Sequence, residues 1–284
     1  MTRHGVSGGI FAITGGASGM GAATARLLAQ HGAAAISIAD INAHAFAALE
    51  SSIKAVSPST AVQCTVVDVT SAIEVEAWIG AVVARFGDLH GAANVAGLPQ
   101  ALGVRGGHGP NILSETDEEW RRTMGVNLDG VFYATRAEVR AMLGRQRQEK
   151  QQGQQQQPRA AGMGMVMAGH TRAIVNVASL SLMMHHPDAF VYGTSKAACA
   201  FFSACVAKDV SDFGIRVNCV SPGMTRTPML EKFILTAKNQ TALQEQLGLD
   251  AIEAEDVART IVWLLSGDSA PVFGANINVG AGVP

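Results

Sequence analysis

The chain is poor in charge. Asp, Glu, Lys and Arg make up 15% of it, and 21 Lys plus Arg nearly cancel 23 Asp plus Glu, leaving a formal net charge of −2. No global basic field exists to gather nucleic acid or an anionic lipid surface. Cysteine is scarce too: Cys64, Cys199, Cys205 and Cys219 include no CxxC pair, which excludes a zinc ribbon and a thioredoxin-type motif. A chain of 284 residues needs no disulfides to hold a core, so reduced, buried thiols in the cytoplasm are expected. Long apolar runs are also missing, and no membrane span is expected. The first run, Ile10 to Ile13, is too early and too short for a signal peptide and leads straight into a glycine-rich turn.

Apolar residues reach 48% and glycine numbers 31. The first figure excludes a disordered chain or a coiled coil. The second matters through its placement. Short β-type runs alternate with helical patterns: strands at 10–14, 35–39, 61–67, 91–96, 173–178, 216–220 and 275–279, and helices at 22–31, 43–56, 74–86, 117–143, 190–213 and 255–265. Strict alternation implies right-handed crossovers and a parallel sheet covered on both faces. The expected architecture is α/β, one doubly wound, Rossmann-like domain over 1–284. A Gln-rich stretch at about 146–171 shows neither period and reads as a disordered surface insertion. Arg145, Arg147, Lys150 and Arg159 lie in it without the interleaved aromatics that stack bases.

After the first strand comes Thr14-Gly15-Gly16-Ala17-Ser18-Gly19-Met20-Gly21, running into a helix. Gly15, Gly19 and Gly21 stand where a dinucleotide turn needs them: one for the tight turn, one for close approach of the pyrophosphate, one for helix–strand packing. Asp40 closes the second strand, where a carboxylate accepts from ribose hydroxyls and repels a 2′-phosphate. Ser18, Ile41 and Asn42 flank it without a Lys or Arg, so NAD is expected over NADP. Asp68 and Val69 are candidates for the adenine, and Asn94, Ala96 and Gly97 for the adenosine side.

Tyr192 and Lys196 stand four residues apart, on one face of a helix. Ser179 ends the preceding strand, and Asn127 lies in Met124-Gly125-Val126-Asn127-Leu128-Asp129-Gly130. With TGGASGMG, Asp40, Asp68-Val69, NVAG and Asn218-Cys219-Val220-Ser221-Pro222-Gly223, this set resembles the short-chain dehydrogenase/reductase family over nearly the whole chain. The resemblance implies that Tyr192 is the catalytic base and that Lys196 favours the phenolate and holds the nicotinamide ribose. It implies further that Ser179 orients the substrate oxygen, that Asn127 supports a proton relay, and that Pro222, Gly223 and Thr225 meet the nicotinamide. A free phenol titrates near ~10, so a tyrosine base at neutral pH needs the neighbouring positive charge, worth about 4 kcal/mol at ~4 Å and an effective dielectric of ~20. Two departures stand out. Val95 replaces the second Asn of the family's NNAG, and Leu182 replaces a common Gly after the serine, which leaves Ser181 as a rival to Ser179.

Four segments, GDLHGAANVAG, DEEWRRTMGVNLDGVFYATRAEVRAM, EAEDVARTIVWLLSGDS and PVFGANINVGAG, resemble one branch of the family more closely. That likeness implies oxidation of a primary allylic alcohol on an indole skeleton to the aldehyde. Another apolar or steroid alcohol, and a dinucleotide sensor without turnover, remain as alternatives. Candidate apolar contacts are Leu98, Leu102, Met183, Met184, Phe190, Met224, Met229 and Phe233. His185-His186 offers no third ligand, so no metal is expected. The family habit implies a homotetramer packed through Phe132, Ala134, Ala137, Phe201, Ala204 and Cys205.

Overall fold

A computed structural model describes residues 5–100, 110–151, 172–231 and 251–280. Its centre is a parallel sheet of seven strands: β1 Ile10–Thr14, β2 Ala35–Asp40, β3 Ala61–Val66, β4 Gly91–Asn94, β5 Arg172–Val177, β6 Ile215–Pro222 and, in chain order after a short pair (β7 Thr225–Arg226, β8 Ile252–Glu253), β9 Asn276–Val279. The strand order is β3-β2-β1-β4-β5-β6-β9. The chain therefore walks outward from β1 to β3 and then restarts at β4 on the other side of β1. That reversal opens a crevice at the carboxyl ends of β1 and β4, the place where open α/β sheets bind ligands.

Every residue of β1 is buried, as it must be for a central strand covered on both faces. Its side chains divide by the two-residue period of a strand. Phe11 and Ile13 join Leu28 of α1 (Gly19–Gln30), Leu49 and Ile53 of α2 (Phe46–Val56) and Ile261 of α9 (Ala254–Leu265). Ile10 and Ala12 join Trp78 and Val82 of α3 (Ala72–Phe86), Met142 of α6 (Gly130–Gln151) and Val210 of α8 (Phe190–Val210). Two short helices, α4 Asn111–Ser114 and α7 Ser181–Met184, and α5 Asp117–Met124 complete the set. Sequence punctuation sets some boundaries directly. The Ser71 hydroxyl accepts from Glu74 N at the start of α3, and Gly87 ends that helix at φ 85°, a left-handed conformation that costs glycine least.

The stretch expected as one helix over 117–143 is α5, a π turn at Gly125–Asp129, and α6. Helix α6 runs on to Gln151, so the start of the Gln-rich stretch is helical rather than disordered. The rest of that stretch and Arg159 lie outside the described residues, as do Leu102 and Phe233, and the side chains of Arg145, Arg147 and Lys150 are likewise not described. The expectation of no span-length apolar segment is corrected by Phe190–Phe213, a 24-residue helix with an 18-residue window of mean hydropathy 1.3. Its Ala, Gly and Cys content keeps charge low, and the helix packs on β6.

Beneath the crevice a buried polar network joins strands to helices. Asn94 Nδ2 donates to Asn176 Oδ1 at 2.9 Å and to Glu138 Oε2 at 3.1 Å, and Asn176 Nδ2 donates to Ser203 Oγ at 2.9 Å. Burial pushes the Glu138 carboxyl up to about 8, against the opposing bond from Asn94.

Candidate active site

The crevice has two ends, and the glycine turn makes the first. Gly15 has φ 62°, and a Cβ on it would lie 2.6 Å from the Cα of Ala96. A Cβ on Gly21 would lie 2.3 Å from the carbonyl oxygen of Gly15. The turn is therefore close-packed backbone, with no room for side chains. Gly19 opens α1 at φ 48°, and the first turn of that helix carries no acidic residue. Ser18 is exposed and makes no side-chain cap bond, so its hydroxyl and the helix N–H groups are available to an anion. This floor of absent side chains at a helix N-terminus fits a pyrophosphate.

Asp40 braces the turn. Its Oδ2 accepts from Ala17 N at 3.0 Å and its Oδ1 from Asn42 N at 2.9 Å. Other candidates reach the crevice only through their backbone. The Met20 side chain packs against Ala23, Ala254 and Ala258. Val69 is buried, and a Cβ on Gly130 would lie 2.9 Å from its Cγ2. Asn94 turns its side chain into the buried network, where partners on β5 and α6 take its amide, so that only its backbone is left for the adenosine side expected from sequence. Asp68 stays exposed, and its Oδ1 accepts from the N–H and hydroxyl of Thr70.

The second end is built from side chains. Lys196 is buried, and its Nζ donates to Val177 O at 2.9 Å and lies 5.7 Å from the centroid of the Tyr192 ring. Tyr192 itself is half-buried. Asn127, in the π turn, uses its whole amide: Oδ1 accepts from Leu98 N at 2.8 Å, and Nδ2 donates to Leu98 O at 2.9 Å and Ser195 Oγ at 3.1 Å. Ser195 Oγ in turn donates to Tyr192 O at 2.7 Å. A Cβ on Gly97 would stand 3.3 Å from Lys196 Nζ and 3.4 Å from Asn127 Oδ1, so the loop after β4 lies against both side chains.

Ser179 lies just beyond β5. Its Oγ donates to Ser181 Oγ at 3.1 Å and accepts from Ser181 N at 3.2 Å. A Cβ on Gly193 would lie 3.3 Å from Ser181 O, so the serine turn abuts the helix next to Tyr192. At the end of β6, Pro222 O accepts from Leu180 N at 2.9 Å and Gly223 N donates to Val279 O at 2.8 Å. Thr225 is buried, its hydroxyl donating to Gly223 O at 3.0 Å. The Cγ2 of Thr227 lies 3.0 Å from where a Gly19 Cβ would be. The loop after β6 thus reaches the glycine turn at Gly19. Among the apolar candidates, Met183 and Met184 are exposed at its rim, and Leu98, Phe190, Met224 and Met229 are half-buried. Among the described residues no group of three His, Cys, Asp or Glu stands close enough to hold a metal.

Sequence reasoning missed Ser195, Gln100 and Glu115. Gln100 Oε1 accepts from Val191 N at 3.1 Å and Tyr192 N at 3.3 Å, and its Nε2 donates to Glu115 Oε2 at 2.6 Å. One local signal for such a partner existed. Helix α8 is preceded by Ala189, which has no side-chain acceptor, so its first N–H groups need one from elsewhere. Two assembly candidates are corrected: Ala134 and Ala137 are buried in the chain's own core, because that face of α6 packs on α3.

Residues 10–154 match the family model described as short chain dehydrogenase, and 157–284 that described as Enoyl-(Acyl carrier protein) reductase. The chain is 53% identical over 282 residues to chanoclavine-I dehydrogenase of Arthroderma otae, covering 98% of this chain and 99% of that one. It is 53% identical to chanoclavine-I dehydrogenase of Aspergillus fumigatus, covering 97% of each. Among solved structures, levodione reductase superposes with a TM-score of 0.80 at 28% identity, covering 97% of each chain.

Proposed function

The chain belongs to the short-chain dehydrogenase/reductase family, and from that membership we propose that it oxidises chanoclavine-I, a primary allylic alcohol on an indole skeleton, to the aldehyde. It is an oxidoreductase that uses a nicotinamide dinucleotide. The identity of 53% over nearly the full length of chanoclavine-I dehydrogenases carries the substrate reading. When bound, the dinucleotide supplies the hydride acceptor. The glycine turn and the first turn of α1 would hold its pyrophosphate, Asp40 its adenosine ribose, Asp68 and the backbone of Val69, Ala96 and Gly97 its adenosine surroundings, and Lys196, Pro222, Gly223 and Thr225 its nicotinamide end.

The chain's own groups handle the proton. Ser179 turns its hydroxyl from Ser181 to the substrate oxygen and holds the alcohol against Tyr192. Tyr192 takes the alcohol proton as the carbinol carbon is oxidised. Lys196 supplies positive charge beside the Tyr192 ring. Its ammonium is fixed by a neutral carbonyl, and no carboxylate pairs with it among the described residues, so its field is not cancelled in place. Asn127 holds the Leu98 backbone and Ser195, and with them the main chain of Tyr192.

NAD is the cofactor we favour, because a carboxylate at Asp40 opposes a 2′-phosphate. A homotetramer is supported by the apolar surfaces of α6 and α8, where Phe132 is 39% and Phe201 74% exposed. Free thiols at all four cysteines support a reducing, cytoplasmic location. The test is NAD reduction with chanoclavine-I beside a panel of steroid, sugar and polyketide alcohols. Turnover of chanoclavine-I with formation of the aldehyde is expected, and turnover confined to another alcohol overturns the substrate reading.

A further inference from the structure

Helix α8 begins without a cap of its own. Ala189 occupies the N-cap position with no side-chain hydrogen bond, and the next N–H groups in need of acceptors are those of Val191 and Tyr192. Both are met by one side-chain oxygen, Gln100 Oε1, at 3.1 and 3.3 Å. Gln100 is 3% exposed and belongs to the loop after β4, far away in sequence. Its amide can face only one way. With Oε1 toward two N–H donors and Nε2 toward the Glu115 carboxylate at 2.6 Å, all three contacts are favourable. Turned over, it would set N–H against N–H and oxygen against carboxylate. Glu115 thus selects the orientation that makes Gln100 a cap.

The capped residue is the proposed base. The main chain of Tyr192 is held on both sides of its Cα, its N–H by Gln100 and its C=O by Ser195 Oγ at 2.7 Å, and Ser195 is held by Asn127. Asn127 also takes both polar groups of Leu98, on the same loop as Gln100. The result is a closed ring of contacts from the loop after β4, through the π turn, to both backbone polar groups of one residue. We propose that Gln100, oriented by Glu115, is a positioning residue that sets where the Tyr192 phenol stands relative to Lys196 and the substrate oxygen. The proposal rests on the reading of Tyr192 as the base.

The experiment uses the full-length enzyme with NAD and chanoclavine-I, measuring kcat, KM, NAD affinity by calorimetry and fold by circular dichroism. Gln100→Leu keeps bulk and removes the acceptor. It should lower kcat about tenfold to a hundredfold, the scale of a small misplacement of a reacting group, while KM and NAD affinity move less than threefold or so. Gln100→Glu alone sets two carboxylates in contact and should be as poor. Gln100→Glu combined with Glu115→Gln restores an acceptor for the helix and a donor–acceptor pair behind it, and should recover kcat to within about threefold. A folded Gln100→Leu enzyme with wild-type kcat overturns the proposal. So does an exchanged pair that folds and binds NAD but stays slow, a result that decides the matter even where Gln100→Leu fails to fold. Tyr192→Phe is run alongside: if it retains activity, the base assignment itself falls, and that failure is visible apart from anything Gln100 does.

Discussion

The two ends of the crevice are made in opposite ways. The glycine turn is defined by atoms it lacks: its tightest point is the space where a Gly21 Cβ would sit 2.3 Å from a carbonyl oxygen. The end proposed as catalytic is defined by atoms it has, with Asn127, Ser195, Gln100 and Lys196 each spending polar groups on a neighbour's backbone. A region built by absence fails when something is added. A region built from bonded side chains fails when something is removed, and it fails by position more than by collapse. The two are not insulated, because the Ala96 backbone that crowds Gly15 continues into Gly97 and Leu98, which meet Lys196 and Asn127.

Removing the reacting atom at the catalytic end should have the largest effect. Tyr192→Phe keeps the ring and loses only the proton acceptor, so kcat should fall about 10³-fold while NAD affinity by calorimetry changes little. A large loss of NAD binding would mean that the two ends are one site energetically.

Addition at the other end comes next. Gly15→Ala puts a side chain at φ 62° and 2.6 Å from backbone, a strained and crowded position. NAD affinity should fall about a hundredfold. At saturating NAD, kcat should fall as well, because the displaced loop carries Leu98. An unchanged kcat would show the two ends to be independent.

Asp40→Ala removes one charge and the brace to Ala17. The preference for NAD over NADP should shrink about tenfold in kcat/KM, well below the unscreened value of one repulsion. Equal preference in the wild type would end the role given to Asp40.

The smallest effect lies beneath both ends, at Glu138. Its carboxyl is pushed from 4.5 up to about 8, so the folded state holds a proton that the unfolded chain has lost. The stabilising contribution is fully present below the unfolded value and is lost as pH rises to about 8. Glu138→Gln cannot lose it. The melting temperature of the wild type should therefore fall relative to the variant by a few degrees or so between about pH 5 and pH 8.5, and a constant difference would show Glu138 to be ionised throughout.

What could be read from sequence divides along the same line. The glycine turn was legible because a missing side chain is encoded at its own position: Gly15, Gly19 and Gly21 sit where the spacing placed them. The central strands were legible too, since a strand buried on both faces is an unbroken apolar run, as in β1. The edge strand was less so: β3 stops at Val66, which is 58% exposed, short of the expected Val67. Asn94 was misread because its inward turn depends on Asn176 and Glu138, both on other elements. Gln100 was invisible because its meaning lies in two N–H groups far along the chain, and no local period reports a cap supplied from a distance. The π turn was hidden for a related reason, since its apolar pattern merges with those of α5 and α6.

That π turn sets a limit on how the chain can change length. Gly125–Asp129 holds one wide turn inside an otherwise α-helical stretch, and Asn127 occupies it. A π turn takes up one more residue than an α turn in nearly the same rotation, so deleting a single residue there would let the helix run regularly while α6 kept its face. Ala134 and Ala137 would stay in the core, and Asn127 would lose the place from which it reaches Leu98 and Ser195. Related chains are therefore expected to keep the number of residues between Thr116, whose hydroxyl accepts from Glu119 N at the start of α5, and Glu138, whatever letters they change between them.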